Sequence, residues 1–270
     1  MKKITDIEEI KRIQLDILSA LDSFCRKNNI QYTIIDGTLL GAIRHKGYIP
    51  WDDDIDVAMD RKNYEVFIKS FPDVFNEYYK LISLERSVKW DRAYACMYDD
   101  RTQLEYFQNK SFSTGVLIDI FPVDEVPDNE LQWNRLKRKI AFYGKLSALK
   151  SMTTFRVSRS LLKNTIAFLF RFLLKPISKR RIAMWLDKLA KSNNNKGYHH
   201  GYETAFGGVG AIKRFKLMDF QETIDYQFED RIVKGLKNAD SILTDTYGDY
   251  MQLPPLEQRV THHSFDAYWK

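Results

Sequence analysis

The sequence predicts an α/β or α+β fold, with a β-sheet core flanked by helices. Up to about Val126, segments with the apolar spacing of helices alternate with short apolar runs that are typical of strands. After Pro127 the chain becomes long, basic and helical in pattern. We therefore expect residues 1–127 to form the core and residues 128–270 to form a largely helical part that packs on it. With 270 residues, 44% of them hydrophobic, the chain can bury a substantial core.

The N-terminal segment is predicted to form a helix from Thr5 to about Asn28. Its apolar residues recur at helical spacing. Thr5 and Glu8 fit a capping box, in which two side chains satisfy free N–H groups at the start of a helix. The β-branched run Gln31–Ile35 then predicts a strand, and Leu39–Ile43 predicts the start of a second helix.

The remaining elements follow from the same patterns. In the core we predict a loop at Gly47–Trp51, a strand at Ile55–Met59, a helix at Arg61–Phe71 and strands around Ala93–Met97 and Val116–Phe121. In the second part we predict a helical region at Leu131–Leu189, a loop at Asn193–Gly197, a helix at Ala239–Tyr247 and an irregular tail from Pro254.

The net charge of +6 is distributed very unevenly along the chain. Residues 131–186 contain 14 Lys and Arg and no acidic residue, whereas the rest of the chain holds 28 basic and 36 acidic residues. All of the excess positive charge therefore lies in one contiguous stretch. Such a stretch predicts an anionic and extended partner: phospholipid, nucleic acid or a phosphorylated polymer.

An acidic run at residues 52–56, with Asp at every position except Ile55, indicates metal chemistry. On a strand, Asp54 and Asp56 would share one face about 6.6 Å apart, a spacing that suits one or two divalent cations. Asp119 is embedded in an apolar run, and a buried carboxylate needs a cation or a donor, so we expect it to join this pair. A calcium loop is excluded because Val57 stands where that loop requires glycine.

The segment around Gly37 and the basic step after it are candidates for phosphate binding. Glycine lets the backbone approach a phosphate closely, and the amides that follow it can donate to the phosphate. Arg44 can neutralise a phosphate and bind it through two nitrogens. His45 suits donation to a phosphate or capping of the turn, and Trp51 suits stacking on a base or packing.

These motifs resemble the LicD family of phosphotransferases, which includes fukutin-like proteins. The resemblance lies in residues 36–45, 47–56, 119–122 and a C-terminal block from 247 to 263. The family is similar to the nucleotidyltransferase superfamily, in which a glycine turn precedes Asp-x-Asp and a third acid. Gly37 with Thr38, Asp54 with Asp56, and Asp119 match these positions. The resemblance therefore implies an α+β fold with a nucleotidyltransferase-like mixed β-sheet core.

The resemblance implies transfer of a phospho-alcohol, typically phosphocholine from CDP-choline, to a sugar hydroxyl of a cell-surface glycan such as teichoic acid, capsule or lipopolysaccharide. CMP would be released, and CDP-glycerol and CDP-ribitol are alternative donors. Asp54 and Asp56 would hold Mg²⁺ or Mn²⁺, and Asp119 would share the metal and accept the proton of the attacking hydroxyl. The expected nucleotide- and phosphate-binding residues are Asp36, Gly37, Thr38, Arg44 and His45. The candidate substrate contacts are Trp51, Arg259, His262 and His263.

A basic helix at residues 156–181 predicts contact with an anionic membrane surface. Its wide apolar face carries a narrow basic stripe, which is typical of helices that lie in the membrane interface. An ordinary buried helix with a solvated stripe is the alternative. Two cysteines are too few for a disulfide framework, and the N-terminus lacks the apolar run of a signal peptide. We therefore expect a cytoplasmic protein that is peripheral at the inner face of the cell membrane.

Three other functions match parts of the sequence. A metal-dependent nucleotide-sugar glycosyltransferase also uses Asp-x-Asp, but the upstream glycine turn and Asp119 argue against it. A membrane-surface adaptor without activity has no need for three converging acids. Nucleic-acid binding rests on charge alone, since no recognisable module accompanies it, and no nucleic-acid partner is expected.

Overall fold

The computed structural model describes residues 1–106, 114–151, 175–203, 214–260 and 265–270. Within these residues the strands are β1 (Lys2–Ile4), β2 (Thr33–Ile34), β3 (Asp56–Asp60), β4 (Tyr79–Ile82), β5 (Ala95–Asp99), β6 (Thr102–Tyr106), β7 (Leu117–Val126), β8 (His200–Tyr202), β9 (Phe215–Lys216), β10 (Thr223–Phe228), β11 (Arg231–Leu236) and β12 (Phe265–Trp269). The helices are α1 (Ile7–Lys27), α2 (Asp36–Arg44), α3 (Arg61–Ser70), α4 (Glu130–Ser151), α5 (Lys179–Lys191), α6 (Leu217–Gln221) and α7 (Ala239–Tyr247), with a short 3-10 helix at Leu256–Gln258.

A mixed sheet forms the centre of the molecule, and the prediction of an α+β fold is confirmed. Its main strand order is β10–β11–β2–β3–β7–β5–β4. β3 and β7 run parallel to each other, as do β11 and β2, and the other neighbours in this order are antiparallel. The far half of β7 pairs with β8, which pairs in turn with β9. β7 is therefore one of the strands at which the two halves of the chain meet.

A smaller sheet, of order β1–β12–β6, brings together strands that are distant in sequence. Lys2 in β1 pairs with Trp269 in β12, and Phe265 at the other end of β12 pairs with Tyr106 in β6. The sequence analysis predicted an irregular tail in this region and did not predict β12. The strand forms because β1 and β6 supply hydrogen-bonding partners on both of its edges.

Helix α1 covers the main sheet with its apolar stripe. Leu18 and Leu21 are fully buried, and Phe24 meets Phe67 of α3 edge to face. Burial of each such side chain contributes about 1.5–3 kcal/mol. The predicted capping box is wrong, because Asp6, not Thr5, caps the helix by accepting a hydrogen bond from the N–H of Glu8 at 3.0 Å.

The second part of the chain contains the expected helices and also five strands, β8 to β12, that were not predicted. The predicted helical region 131–189 contains α4 and α5, and residues 152–174 between them lie outside the described residues. Most of the predicted membrane helix at 156–181 therefore falls outside the description. Strands from residues 128–270 pair with strands from residues 1–127 in both sheets, and a domain boundary at 127 stays a prediction.

An ion-pair network fixes α5 to the sheet. Arg61, the first residue of α3, donates two hydrogen bonds to Asp124 of β7, at 2.7 and 2.6 Å, and a third to Asp187 of α5 at 2.8 Å. Arg180 at the start of α5 donates to the main-chain carbonyls of Leu84 and Ser87. In the described parts of the chain, no helix has both the length and the apolar character needed to cross a bilayer.

Candidate active site

The main sheet brings Asp56 and Asp119 side by side. β3 begins at Asp56, and its parallel pairing with β7 sets Asp56 opposite Asp119. Paired residues on neighbouring strands point to the same face of a sheet, so both carboxylates emerge together. On the other side of β7, Cys96 of β5 pairs with Asp119, and its thiol donates to Oδ1 of that carboxylate at 2.8 Å.

The acidic run that precedes β3 lies outside the strand. Asp54 therefore does not share a strand face with Asp56, as the sequence analysis expected; it stands just before the strand with its side chain exposed. The carboxyl groups of Asp52 and Asp54 are hydrogen-bonded to each other. A Cβ atom added at Gly37 would lie 2.6 Å from Oδ2 of Asp52, so glycine allows the acidic run to approach α2 closely.

Two buried polar side chains hold this segment in place. Thr38 accepts a hydrogen bond from the main-chain N–H of Asp56 at 2.9 Å, so its hydroxyl positions the start of β3. Gln14 in α1 donates to the main-chain carbonyls of Asp53 and Leu117, at 2.9 and 3.4 Å, and thereby ties the acidic run to β7. The sequence analysis assigned Thr38 to phosphate, which stays a prediction, and missed Gln14. The signal for Gln14 is that it interrupts the apolar stripe of α1.

The carboxylates raise one another's pKa values. Burial and the charges of Asp54, Asp36 and Asp119 raise the pKa of Asp56 well above its ordinary value. Burial and the neighbouring charges of Asp52 and Asp119 raise the pKa of Asp54 to about 8. Because the side chain of Asp54 is exposed, we attribute most of this increase to the neighbouring charges. A bound cation would relieve this repulsion.

Asp36, Glu203 and Tyr247 also belong to the acidic region. Asp36 starts α2 with a φ of 47°, and burial raises its pKa to about 6. Burial and the charge of Asp36 raise the pKa of Glu203, which directly follows β8. Burial and the charges of Asp36 and Asp56 likewise raise the pKa of the Tyr247 hydroxyl. The sequence analysis missed Glu203 and Tyr247 as site residues, since only tertiary packing brings them to the acids.

The donor set of the acidic region suits a divalent cation. Hard cations such as Mg²⁺ prefer carboxylate oxygens. Within the described residues, no basic side chain is a leading electrostatic partner of Asp54 or Asp56. In the same parts of the chain, no three His, Cys, Asp or Glu side chains already converge as the ligands of a bound metal do. A shared ion would therefore require the carboxylates to turn toward it.

Asp119 differs from Asp54 and Asp56 because a positive charge faces it. Burial raises the pKa of Asp119, while the charge of Arg92 and the hydrogen bond from Cys96 oppose the increase. The guanidinium of Arg92 donates to the hydroxyl of Tyr94 at 2.9 Å and lies 5.8 Å from the ring centroid of Tyr106. These contacts hold Arg92 beside Asp119, and the sequence analysis did not identify either Arg92 or Cys96.

Two adjoining cavities lie at this end of the sheet. The first, which we call the acid cleft, has a volume of about 520 Å³ and is lined by residues 52–54, Asp119 and apolar side chains of β6 and β12. The second, which we call the arginine pocket, has a volume of about 690 Å³ and is lined by Arg44 and Arg259. Trp51 and Tyr247 border both cavities. A ligand can therefore reach from one cavity into the other.

The arginine pocket has the properties of an anion site. Arg44 donates to the main-chain carbonyl of Tyr250 at 2.6 Å, and Arg259 donates to that of Pro254 at 2.8 Å. Burial and the charge of Arg259 lower the pKa of Arg44. The ring of Trp51 lies 5.4 Å from the guanidinium of Arg259. Two guanidinium groups that repel each other and are held by neutral carbonyls favour an anion between them.

The structure thus brings together several predicted residues that lie far apart in sequence. His45 follows Arg44, and its ring meets Trp51 edge to face at 6.2 Å between centroids. Burial and Arg44 lower the pKa of His45, which leaves its imidazole neutral at pH 7. His262 and His263, the remaining predicted substrate contacts, lie outside the described residues.

Comparison with known proteins identifies the family. Residues 29–160 match the family described as LicD/FKTN/FKRP, nucleotidyltransferase domain. Over 274 aligned positions the chain is 30% identical to the lipopolysaccharide cholinephosphotransferase LicD of Haemophilus influenzae, and the alignment covers 99% of both proteins. The chain belongs to the LicD family. A further relative, an uncharacterised protein of Rickettsia prowazekii, is 35% identical over 111 residues, which cover 39% of this chain and 38% of that protein.

The LicD-family match and the site coincide. The matched residues 29–160 include α2, the acidic run, β3 and β7, and so contain Asp56 and Asp119. Arg259 and Glu203 lie outside that range and reach the site through the C-terminal half of the chain. The full-length alignment with the Haemophilus LicD protein extends over that half as well.

Proposed function

We propose that the protein is a metal-dependent phosphotransferase that transfers phosphocholine from CDP-choline to a sugar hydroxyl of lipopolysaccharide and releases CMP. Membership of the LicD family and the full-length similarity to a lipopolysaccharide cholinephosphotransferase support this proposal. The single observation that carries it is the junction of the acid cleft with the arginine pocket. A nucleoside diphosphate needs a cation and positively charged side chains at its two phosphates, and these cavities offer places for both.

Asp54, Asp56 and Asp119 are the proposed ligands of Mg²⁺ or Mn²⁺. When bound, such an ion would stabilise the negative charge that develops on the leaving CMP and would polarise the attacked phosphorus. The carboxylate of Asp36 lies among these acids and would repel a phosphate. We therefore assign Asp36 to the part of the site that binds the cation. Gly37 lets the acidic run lie against the start of α2, close to that position.

The arginine pocket is the proposed site of the donor pyrophosphate. Arg44 and Arg259 would neutralise its charge, and the main-chain carbonyls that hold them fix their positions before the donor arrives. His45 would donate a hydrogen bond as a neutral imidazole. Trp51, which borders both cavities, would contact the nucleotide or the alcohol between them.

Asp119 is the proposed general base. It would accept the proton of the sugar hydroxyl as the new O–P bond forms and the bond from phosphorus to the CMP oxygen breaks. The thiol of Cys96 occupies one face of the Asp119 carboxylate, and Arg92 stands nearby, so the orientation of the base is fixed before the acceptor binds. Phosphoryl transfer depends mainly on alignment and charge neutralisation, and this set of residues supplies both.

Other donors and acceptors remain within the same chemistry. CDP-glycerol or CDP-ribitol could replace CDP-choline, and teichoic acid or capsule could replace lipopolysaccharide. A nucleotide-sugar glycosyltransferase is the alternative of a different class. Two buried free cysteines fit a reducing compartment, which supports a reaction on the inner side of the cell membrane.

The test is incubation of the purified protein with Mg²⁺, CDP-choline and a choline-free lipopolysaccharide. We expect CMP release and a mass increase of the acceptor by one phosphocholine. Thermal shift with CDP-choline, CDP-glycerol, CDP-ribitol and UDP-sugars ranks the donors, since a ligand that binds the native state raises its melting temperature. Stabilisation by a UDP-sugar alone, with no CMP released from any CDP-alcohol, would reject the proposal.

A further inference from the structure

The outer face of the α4–α5 helix pair combines basic and apolar side chains in an ordered way. Among the exposed positions of α4, one set recurs at intervals of four and three residues, which places its members on one stripe of the helix. This outer stripe consists of Leu131, Arg135, Arg138, Phe142, Lys145 and Leu149. Three large apolar residues therefore interleave with three cations over about 27 Å of helix.

The apolar members of the stripe are largely exposed. Leu131 is 71% exposed, Phe142 54% and Leu149 44%. The opposite face of α4 is the one that packs on the protein, through Trp133 and Ile140. The exposed stripe is thus not the core-facing side of the helix. Its apolar surface serves no packing purpose in the described residues.

Helix α5 extends the same surface. Its exposed positions are Arg181, Met184, Trp185 and Lys188, again a mixture of cations and large apolar groups. Rings connect the two helices, because Tyr143 lies 5.7 Å from Phe142 and 6.2 Å from Trp185 between centroids. The two helices also pack against each other. Phe142 of α4 and Trp185 of α5 are therefore joined through the ring of Tyr143.

The outer stripes of α4 and α5 carry charges of a single sign. Residues 131–186 contain no Asp or Glu, so no acid from either outer stripe offsets the cations. Asp187, the first acid after this stretch, points inward and binds Arg61. Of the three basic residues at 179–181, Lys179 pairs with Asp91 and Arg180 binds main-chain carbonyls, so only Arg181 belongs to the outer surface.

We propose that the outer face of α4 and α5 docks onto an anionic phospholipid bilayer. Apolar side chains of this size insert into the interface between headgroups and acyl chains, and interleaved Lys and Arg bind anionic headgroups. A nucleic acid would use the cations but would leave Leu131, Phe142 and Leu149 without a function. The lipid surface is the partner that uses both components of this face.

The docking surface is rigidly linked to the catalytic strands. Arg61 joins α5 to β7, the strand that carries Asp119, through its hydrogen bonds to Asp187 and Asp124. A bilayer bound by α4 and α5 would therefore hold the acid cleft at a defined position relative to the membrane. This inference concerns binding alone and does not depend on which phospho-alcohol the protein transfers.

The experiment is co-sedimentation of the full chain with vesicles that contain phosphatidylglycerol, compared with vesicles of phosphatidylcholine alone. We expect binding to the anionic vesicles only. The variant R135Q/R138Q/K145Q should bind roughly a hundredfold more weakly, at about fivefold for each charge removed. The variant F142Q/L149Q/M184Q should bind about tenfold more weakly at unchanged net charge.

The matched control is K27Q/K62Q/K69Q, which removes three exposed lysines from α1 and α3. It should retain vesicle binding, and circular dichroism should give a native spectrum for all three variants. Failure of the wild-type chain to sediment with anionic vesicles would overturn the proposal. An equal loss of vesicle binding in the control and in the stripe variants would also overturn it. A third contradicting result would be full vesicle binding by F142Q/L149Q/M184Q together with equally tight binding of duplex DNA by the wild-type chain.

Catalytic activity is measured separately with a soluble acceptor. A chain that binds vesicles but releases no CMP would contradict the proposed function and leave the docking surface intact. A chain that is active in solution but does not bind vesicles would contradict the docking surface alone.

Discussion

The two ends of the β3–β7 strand pair differ in the partners that surround a buried carboxylate. At one end, Asp56 stands among further carboxylates, and burial together with their charges raises its pKa. At the other end, Asp124 receives two hydrogen bonds from Arg61. Burial opposes the charge on Arg61, but its bonds to Asp124 and its attraction to Asp187 outweigh this effect and raise the guanidinium pKa.

This contrast separates a structural acid from a functional one. A buried carboxylate with a bidentate arginine is fully satisfied, and removal of either partner leaves an uncompensated charge. A cluster of carboxylates without a cation destabilises the fold and is retained where it binds something positive. The partners of an acid, more than its burial, therefore indicate its role.

The largest effect is expected for Asp56→Asn. We expect activity to fall by roughly 10³- to 10⁴-fold, because a bound cation supplies several kcal/mol of transition-state stabilisation. The melting temperature should stay the same or rise, since a repelling carboxylate becomes neutral. Measurements are CMP release and thermal unfolding with and without Mg²⁺. Asp230→Asn, an exposed acid in the β10–β11 turn, is the control and should change neither; a less stable Asp56→Asn protein would contradict the contrast drawn above.

At the other end of the strands, we expect Arg61→Met to lower the stability of the fold. The buried Asp124 loses its partner, and the free energy of unfolding should fall by about 3–5 kcal/mol. Urea denaturation measures this change. Arg231→Met, which breaks an exposed pair with Asp16, is the matched control and should cost less than about 1 kcal/mol. Equal losses for the two variants would mean that the Arg61 network does not stabilise the fold.

Effects of intermediate size are expected for substitutions in the arginine pocket. Arg44→Gln and Arg259→Gln should each raise the KM for the CDP-alcohol by about 10- to 100-fold, as expected for one charge-assisted hydrogen bond of about 1.5–3 kcal/mol. Steady-state kinetics with varied donor measures the effect. Lys62→Gln on α3 removes an equal charge at a distance and should leave the KM unchanged. A drop in kcat with an unaltered KM would place these arginines elsewhere in the mechanism.

The smallest effect is expected for Cys96→Ala, which removes the thiol from Asp119. The kcat should fall by about fivefold, since a hydrogen bond from a weak thiol donor is worth about 1 kcal/mol. Cys96→Ser should recover most of it, because a hydroxyl also donates. Cys25→Ala deletes the other buried thiol and should lower only the melting temperature. No recovery by serine would show that Cys96 acts through packing.

Much of the core of the site could be predicted because it depends on local sequence. The acidic run and the embedded Asp119 each sit at the start of an apolar strand, and a parallel pairing of two such strands necessarily juxtaposes them. The helix Ala239–Tyr247 was predicted with its observed bounds. The alternation of helix and strand patterns narrowed the fold to α/β or α+β, and the family resemblance favoured α+β.

The rest depends on packing that no local pattern specifies. Glu203 and Arg92 reach the acids because β8 and the segment before β5 lie against β7. In the sequence, the residues around Glu203 and Arg92 resemble ordinary loops. Asp54 was placed on β3 because Asp-Ile-Asp alternates like a strand, but its hydrogen bond to Asp52 holds it before the strand. For β10, the alternation of Ile224, Tyr226 and Phe228 was a usable signal that the sequence analysis did not take up.

The small β1–β12–β6 sheet has a consequence for protein engineering. Because Lys2 pairs with Trp269, the two ends of the chain lie about one strand spacing apart, roughly 5 Å. A linker of a few residues could join them, and new termini could be opened in the loop after α5, giving a circular permutant. Phe265 of β12 lines the acid cleft, so the linker would lock one wall of that cleft covalently. Deleting β12 instead would remove the same wall and leave Asp54, Asp56 and Asp119 in the chain.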